Sequence, residues 1–366
     1  MAVSLSTPPK KTTLAAIARL TGVSTPTVSK VVNGREDVAE ETRAKVLAAL
    51  VDAGYQSPLQ RRIVTPEPSI VEVSFDAFTP AYSTAVLNGI LEYAASVGVE
   101  VLMSTASSGA IPGLSPEKRA ERMVAHGRIG LILVTSDFSE AQLTALRRRN
   151  IPVAVVDPLN PPPADVVSVG ATNWAGGKAA AEHLLKLGHR DIAYLGGHET
   201  AECNQARLHG YMSALASAGV QVNPDYIIHG KFRTHHGIEG LRRLIALPKR
   251  PTAIFAGSDS VAVGVLREAR QHGIRIPEDL SLVGFDGTTL AEDAVPSLTS
   301  VSQPLHEMGR AALRAVLSQA RGEELDSHRV ELATQLVVRE STASPRETGV
   351  RKDGTRTDGA RKGMAS

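Results

Sequence analysis

From Ile70 onward, short β-branched runs alternate with amphipathic helical runs, and this alternation restricts the fold more than any other feature of the chain. IVEVSF leads into YSTAVLNGILEYAASVG and then VEVLMST. GLILVTS, IPVAVVD, DIAYLGG, TAIFAGS and LSLVGFD follow, with helical segments between most of them. A strand that returns through a helix to the next strand belongs to a parallel sheet with helices on both faces. Residues 70–342 are too many for one ordinary sheet, so two α/β lobes are expected.

The N-terminal part has a different period. In TTLAAIARLTGVSTPTVSKVVNG, Thr12 or Thr13 can cap a short helix carrying Leu14, Ile17, Ala18 and Leu20, and Gly22 permits a tight turn. Ser24 can cap a second helix with Pro26 in its first turn, where proline is tolerated. Val28, Val31 and Val32 form the expected buried side of that helix. Thr25, Thr27, Ser29 and Lys30 lie around its exposed side. A third helix over about Ala39–Ala53 is expected to bury Val46, Leu47 and Leu50. The set reads as a helix-turn-helix, whose second helix suits the major groove of double-stranded DNA.

Charge agrees with that reading. The net charge is only +2, yet residues 1–65 hold nine Lys/Arg against five Asp/Glu, and residues 343–366 hold six against three. The stretch between them is therefore net acidic, and a basic N-terminal module on an acidic body suits a nucleic-acid binder. Residues 1–10 are expected to be a disordered lead, 11–56 the DNA-binding domain, 57–69 a hinge, 70–342 the two-lobe domain, and 343–366 a disordered basic tail.

Other classes find little support. A single cysteine, Cys203, excludes a disulfide within the chain and fits a reducing cytoplasm. No apolar run reaches membrane-span length, and the first ten residues lack a secretory apolar stretch, so a cytoplasmic location is expected. There is no G-x-G-x-x-G after the first strand and no H-E-x-x-H. Trp174-Ala-Gly-Gly-Lys178 is half a phosphate loop, and His235-His236, adjacent and pointing apart, read as surface residues. No catalytic residue, metal or cofactor is expected.

Ligands of open α/β sheets bind beyond the carboxyl ends of the strands. Asp76, Asp157, Asp259 and Asp286 fall at such ends, and Asn173 precedes a helix start. Tyr82, Trp174, Phe232 and Phe285 lie nearby and could cover the C–H face of a sugar. Alternatives stay open. Asp157 before Pro158 also fits a turn, Asp259 also fits a helix cap, Phe285 also fits the core, and Trp174 also fits packing between lobes.

The string GVSTPTVSKVVNG, continued by ETRAKVLAALVDAGY, resembles the lactose-repressor (LacI/GalR-type) family. HLLKLGHRDIAYLGG, RLHGYMSAL, FAGSDSVAVGVLREA, LSLVGFDG and LTSVSQPLHEMG extend the resemblance over about residues 12–342. It implies base reading by Thr25, Pro26 and Lys30, and phosphate contacts by Thr13, Ser24, Thr27 and Asn33. It also implies a hinge in QSPLQRRIVTPEP, where Val64 takes the place of the usual intercalating leucine and Arg61 and Arg62 hold phosphates or a narrow minor groove. Pro26 departs from the usual polar base reader, and Ala39 from a capping serine.

In the sensing domain the resemblance makes Arg207 the first candidate to grip ligand hydroxyls and Asp286 the second. Ser258 stands where many members carry Asn, and Phe232 where some place a stacking aromatic. The implied architecture is an all-α helix-turn-helix domain plus two lobes of periplasmic-binding-protein type with parallel sheets, joined by crossovers near residues 160–172, 295–305 and 320–330. The implied function is a homodimeric repressor on a near-palindromic operator, released by a sugar or oligosaccharide. A sugar-binding protein without DNA binding is the alternative.

Overall fold

A computed structural model describes residues 13–32, 35, 38–53, 69–75, 78–105 and 114–346. Asn33, Arg61, Arg62, Val64 and Asp76 lie outside the described residues, as does the whole candidate hinge except Ser69. The chain divides into two compact units, residues 1–69 and 70–366.

The first unit contains α1 (Leu14–Thr21), α2 (Thr25–Val32) and α3 (Glu40–Asp52). Both expected caps form. Thr13 Oγ1 accepts the N–H of Ala16 at 3.3 Å, and Ser24 Oγ accepts the N–H of Thr27 at 3.3 Å. Gly22 ends α1 at φ 70°, a left-handed conformation that glycine adopts at little cost. Ile17, Ala18, Val28, Val31, Val46 and Leu50 interlock as the core. Leu47, expected inside, is 48% exposed. Val46 and Leu50 are four residues apart and share one helix face, whereas Leu47 is turned about 100° from Val46. Val32, also expected inside, is half-buried.

The second unit has two lobes, each a six-stranded sheet between helices. The first lobe runs β1 (Ile70–Phe75), α4 (Pro80–Val97), β2 (Glu100–Thr105), α5 (Pro116–Ala125), β3 (Arg128–Val134), α6 (Glu140–Arg147), β4 (Val153–Val156) and β5 (Val167–Ala171). The chain then builds most of the second lobe. Its elements are α7 (Asn173–Lys186), β6 (Ile192–Leu195), α8 (Glu202–Ser217), β7 (Ile227–Ile228), α9 (Thr234–Ile245), β8 (Ala253–Ala256), α10 (Asp259–Gln271), β9 (Ser281–Asp286), α11 (Thr289–Glu292) and β10 (Thr299–Ser302). It returns to the first lobe for α12 (Leu305–Ala320) and β11 (Arg329–Leu332), and ends in the second with β12 (Gln335–Val337).

The strand orders are β11-β5-β4-β3-β1-β2 and β12-β10-β9-β8-β6-β7. Among the described residues every pairing is parallel except β10 with β12. Central strands buried on both faces carry continuous apolar runs, as VAVV in β4 and AIFA in β8 do.

The lobes are joined at Thr172, at Gln303–Pro304 and at Ala333–Thr334. The first two crossings fall within the expected ranges. The third lies past 320–330, because β11 still pairs with β5 in the first sheet. The first and third crossings are tied together, with the Thr334 N–H donating to Thr172 Oγ1 at 3.0 Å. Order also extends beyond residue 342. Ser281 Oγ donates to the Ala343 carbonyl at 2.9 Å, and Arg346 pairs with Asp279 at 2.6 Å.

Candidate functional site

A cavity of about 320 Å³ lies between the lobes, beyond the carboxyl ends of strands from both sheets. The first lobe contributes Thr79, Tyr82, Thr135, Asp137, Asp157 and Leu159. The second contributes Arg207 from α8, the segment Lys231–Arg233 before α9, Ser258 and Ser260 around the start of α10, and Asp286 at the end of β9.

Arg207 is the best-supported side chain in the cavity. It is 2% exposed. Its Nε donates to Asn173 Oδ1 at 2.8 Å, its Nη1 donates to the Gly257 carbonyl at 2.7 Å, and Nη1 lies 3.6 Å from Asp286 Oδ1. The guanidinium stacks over Phe285, 3.8 Å from the ring centroid, with Phe232 at 5.2 Å. The arginine is therefore locked before any ligand arrives. Phe232 is seated just as firmly, its ring filling the space that a Cβ on Gly197 or Gly257 would need.

Two carboxylates face this arginine from different lobes. Asp157 Oδ2 accepts the Tyr82 hydroxyl at 2.6 Å, and Asp286 Oδ1 accepts Gln303 Nε2 from the second crossing at 2.8 Å. Burial pushes both carboxyls above their ordinary range, and the Arg207 guanidinium pulls both back down. Asp157 and Asp286 have φ 44° and 105°, and Thr135 has φ 46°. Three of the four non-glycine residues with positive φ among the described residues thus line this cavity. Strained backbone that the surrounding fold maintains is characteristic of functional sites.

Six of the nine residues read from the sequence as ligand contacts come together here: Tyr82, Asp157, Arg207, Phe232, Ser258 and Asp286. Ser258 also caps α10, accepting the Val261 N–H at 3.2 Å. Asn173 stands behind the cavity and orients Arg207. Trp174 is not at the cavity. It is 46% exposed, with the Lys178 ammonium 5.5 Å from its ring centroid. Successive helix residues point about 100° apart, so turning Asn173 inward turns Trp174 out.

Asp259 is also structural. One oxygen accepts the Thr288 N–H at 2.7 Å and the Thr288 hydroxyl at 2.9 Å, and the other accepts Ser300 at 2.6 Å. Burial pushes its carboxyl up to about 6. A raised folded value means that its contribution to stability is full below about 4 and is lost as pH rises through about 6. Asp259→Asn is therefore expected to flatten this part of the stability profile, checked by melting temperatures of both proteins between pH 4 and 7. An unchanged profile would remove this residue from the account.

Sequence reasoning missed Thr79, Thr135, Asp137, His198, Lys231 and Arg233. Thr135 and Asp137 follow GLILV at a strand end, so the strand-end rule could have found them. Of the adjacent histidines expected at the surface, His235 is exposed and pairs with Glu239 at 3.0 Å, while His236 is buried. The Cys203 thiol is buried and pushed up to about 12, which keeps it protonated and unreactive.

In the first unit, α2 presents Thr25, Pro26 and Lys30 on its exposed surface, with Thr27 and Ser29 half-buried. Ser24 and Thr13 are exposed at the starts of α2 and α1.

Comparison with known proteins matches residues 13–57 to "Bacterial regulatory proteins, lacI family" and residues 181–342 to "Periplasmic binding protein-like domain". The HTH-type transcriptional repressor PurR of Photobacterium profundum is 31% identical over 333 residues, covering 90% of this chain and 98% of that protein. The chain belongs to the lacI family of bacterial regulatory proteins. The HTH-type transcriptional regulator CelR of Thermobifida fusca is 30% identical to this LacI-family regulator over 339 residues, 91% of this chain and 98% of that one. A solved "transcriptional regulator CelR-cellobiose complex" superimposes with a TM-score of 0.67 at 30% identity, covering 90% of this chain and 99% of that one. By name these relatives regulate transcription, the class that the sequence favoured over an enzyme.

Proposed function

We propose that this LacI-family regulator is a repressor whose operator binding is released when a sugar occupies the cleft between the lobes. The observation that carries the reading is the buried Arg207, held by Asn173 and the Gly257 carbonyl and electrostatically joined to Asp157 of one lobe and Asp286 of the other. A guanidinium between carboxylates matches adjacent hydroxyls, which both donate and accept. Phe232 offers a face for the sugar's C–H surface. The cavity, about 320 Å³, is at the small end of ligand sites, which span about 300–1,000 Å³. The likeness to a regulator solved with cellobiose supports the same class of ligand.

A ligand touching both lobes favours one lobe arrangement, and only that difference in affinity can shift the regulator between states. A coupling of about 1–3 kcal/mol changes operator affinity about 5–150-fold. Thr25, Pro26 and Lys30 read bases, with Pro26 making an apolar contact, and Thr13, Ser24, Thr27 and Ser29 face the backbone. Asn33, Arg61, Arg62 and Val64, outside the described residues, complete the proposed DNA contacts. Leu102 and Met103 on the edge strand β2 and Leu91 on α4 are exposed, an apolar surface suited to a second copy. A twofold pair reads a near-palindromic operator, and operator binding places the protein in the cytoplasm.

The test is selection of bound duplexes from a random DNA pool, with and without a panel of mono- and oligosaccharides. A palindromic site that one sugar erases is the expected result. No enrichment at low salt would leave a sugar-binding protein that does not read DNA. Lys30→Ala is expected to lower operator affinity by roughly tenfold or more, measured by gel shift, and to flatten its salt dependence. Unaltered affinity would remove Lys30 from the contact surface.

A further inference from the structure

The interior and the mouth of the cleft differ in charge. Inside, Arg207 is balanced by Asp286 and Asp157. At the mouth the second lobe places Lys231, Arg233 and His198, and Lys231 and Arg233 are exposed. None of the three forms an ion pair among the described residues, while His235 and Arg242 on the adjoining α9 are paired with Glu239 and Glu268. The only carboxylate of the rim among the described residues is Asp137, from the opposite lobe, and it pairs with none of these bases.

The main chain that carries the two bases is fixed, while their side chains reach into solvent. The Arg233 N–H donates to the Lys231 carbonyl at 2.6 Å, closing a tight turn around Phe232, whose ring is wedged against Gly197 and Gly257. The turn leads directly into α9, a twelve-residue helix whose N-cap, Arg233, makes no side-chain cap hydrogen bond. Two bases that form no ion pair among the described residues therefore line one side of a cavity in which Arg207 already has its own counter-charges.

We propose that the effector is a sugar bearing an anionic group, with its hydroxyls at Arg207, Asp157 and Asp286 and its anion at Lys231 and Arg233. This rests on the reading of the cleft as a sugar site. A neutral sugar leaves both cations to water. A phosphate or carboxylate forms charge-assisted hydrogen bonds with them, about twice as strong as neutral ones.

The test is calorimetric titration of the full-length protein and of a Lys231→Gln/Arg233→Gln variant with mono- and disaccharides, each as the neutral sugar, its phosphate ester and its uronic or aldonic acid. The tightest ligand is expected to be anionic, to beat its neutral parent by at least about tenfold, and to weaken as salt rises. In the double variant that preference falls toward unity, whereas Lys231→Arg alone, which keeps the charge, retains most of it. The phosphate and carboxylate arms decide which anion is read. A neutral sugar that binds tightest, or an anionic preference that survives in the double variant, overturns the proposal and leaves the sugar site standing. If no sugar of either kind binds, the sugar reading fails and this proposal fails with it.

Discussion

Arg207→Ala is expected to lower sugar affinity at least 100-fold at neutral pH and to destabilise the two-lobe unit, while the protein still binds its operator in the absence of sugar. The side chain is buried and makes hydrogen bonds to Asn173 and to the Gly257 carbonyl. Removing it leaves Asp286 and Asp157 buried without their counter-charge, a loss of about 3–5 kcal/mol for a broken buried pair. The pH dependence has a definite sign. Arg207 holds both carboxyl values down against burial, so its loss lets both rise further. A carboxyl raised in the folded state favours folding at low pH and loses that contribution as pH rises through its folded value. The deficit of the variant is therefore largest near pH 7.5 and shrinks as pH falls toward 5, read by calorimetric melting of both proteins. Equal deficits at the two pH values would sink the charge-pairing account. Operator binding should survive because the helix-turn-helix is a separate compact unit with its own core. Its loss would make Arg207 a structural residue.

Gly177→Ala is expected to weaken sugar binding about tenfold or more although residue 177 touches no ligand. Helices α7 and α8 cross so closely that a Cβ on Gly177 would lie 2.2 Å from the Arg207 carbonyl oxygen, and one on Gly210 would lie 2.1 Å from that of Trp174. No side chain can swing aside, because each obstacle is backbone. The helices must separate by roughly 1 Å, and overpacking of this kind costs about 1–3 kcal/mol. Asn173 is carried by α7 and Arg207 by α8, so the separation acts directly on the 2.8 Å hydrogen bond that orients the guanidinium. A site loosened by about 1 Å at its supporting residues commonly loses function. Titration with the best sugar and a melting curve on the same sample check this. Normal affinity with a lowered melting temperature would show that the crossing stabilises the lobe without aiming Arg207.

Much of this was legible in the residues. The alternation of apolar runs with amphipathic helices demanded parallel sheets, because only a helical return brings one strand beside the next in the same direction. Thr13, Ser24 and Gly22 bounded helices through local backbone chemistry, which needs no distant partner. Asp157 and Asp286 could be picked out because strand ends face the cleft whatever the loop lengths, and Arg207 because the resemblance named it.

The remainder depended on directions that arise only when elements pack. Asn173 and Trp174 are neighbours, as are Ser258 and Asp259. In each pair one side chain serves the cleft and the other turns to solvent or to a loop, according to the rotation of the helix on its sheet. The third crossing and the antiparallel β12 were settled by strand pairing between residues more than a hundred positions apart in the first sheet and by the final return of the chain in the second. Lys231 and Arg233 carry no signal in the sequence, and only the turn around Phe232 brings them to the mouth of the cavity. Sequence periodicity specifies which face of an element is apolar; where a polar side chain ends up depends on the neighbour that the face is buried against, and that neighbour is supplied by the fold.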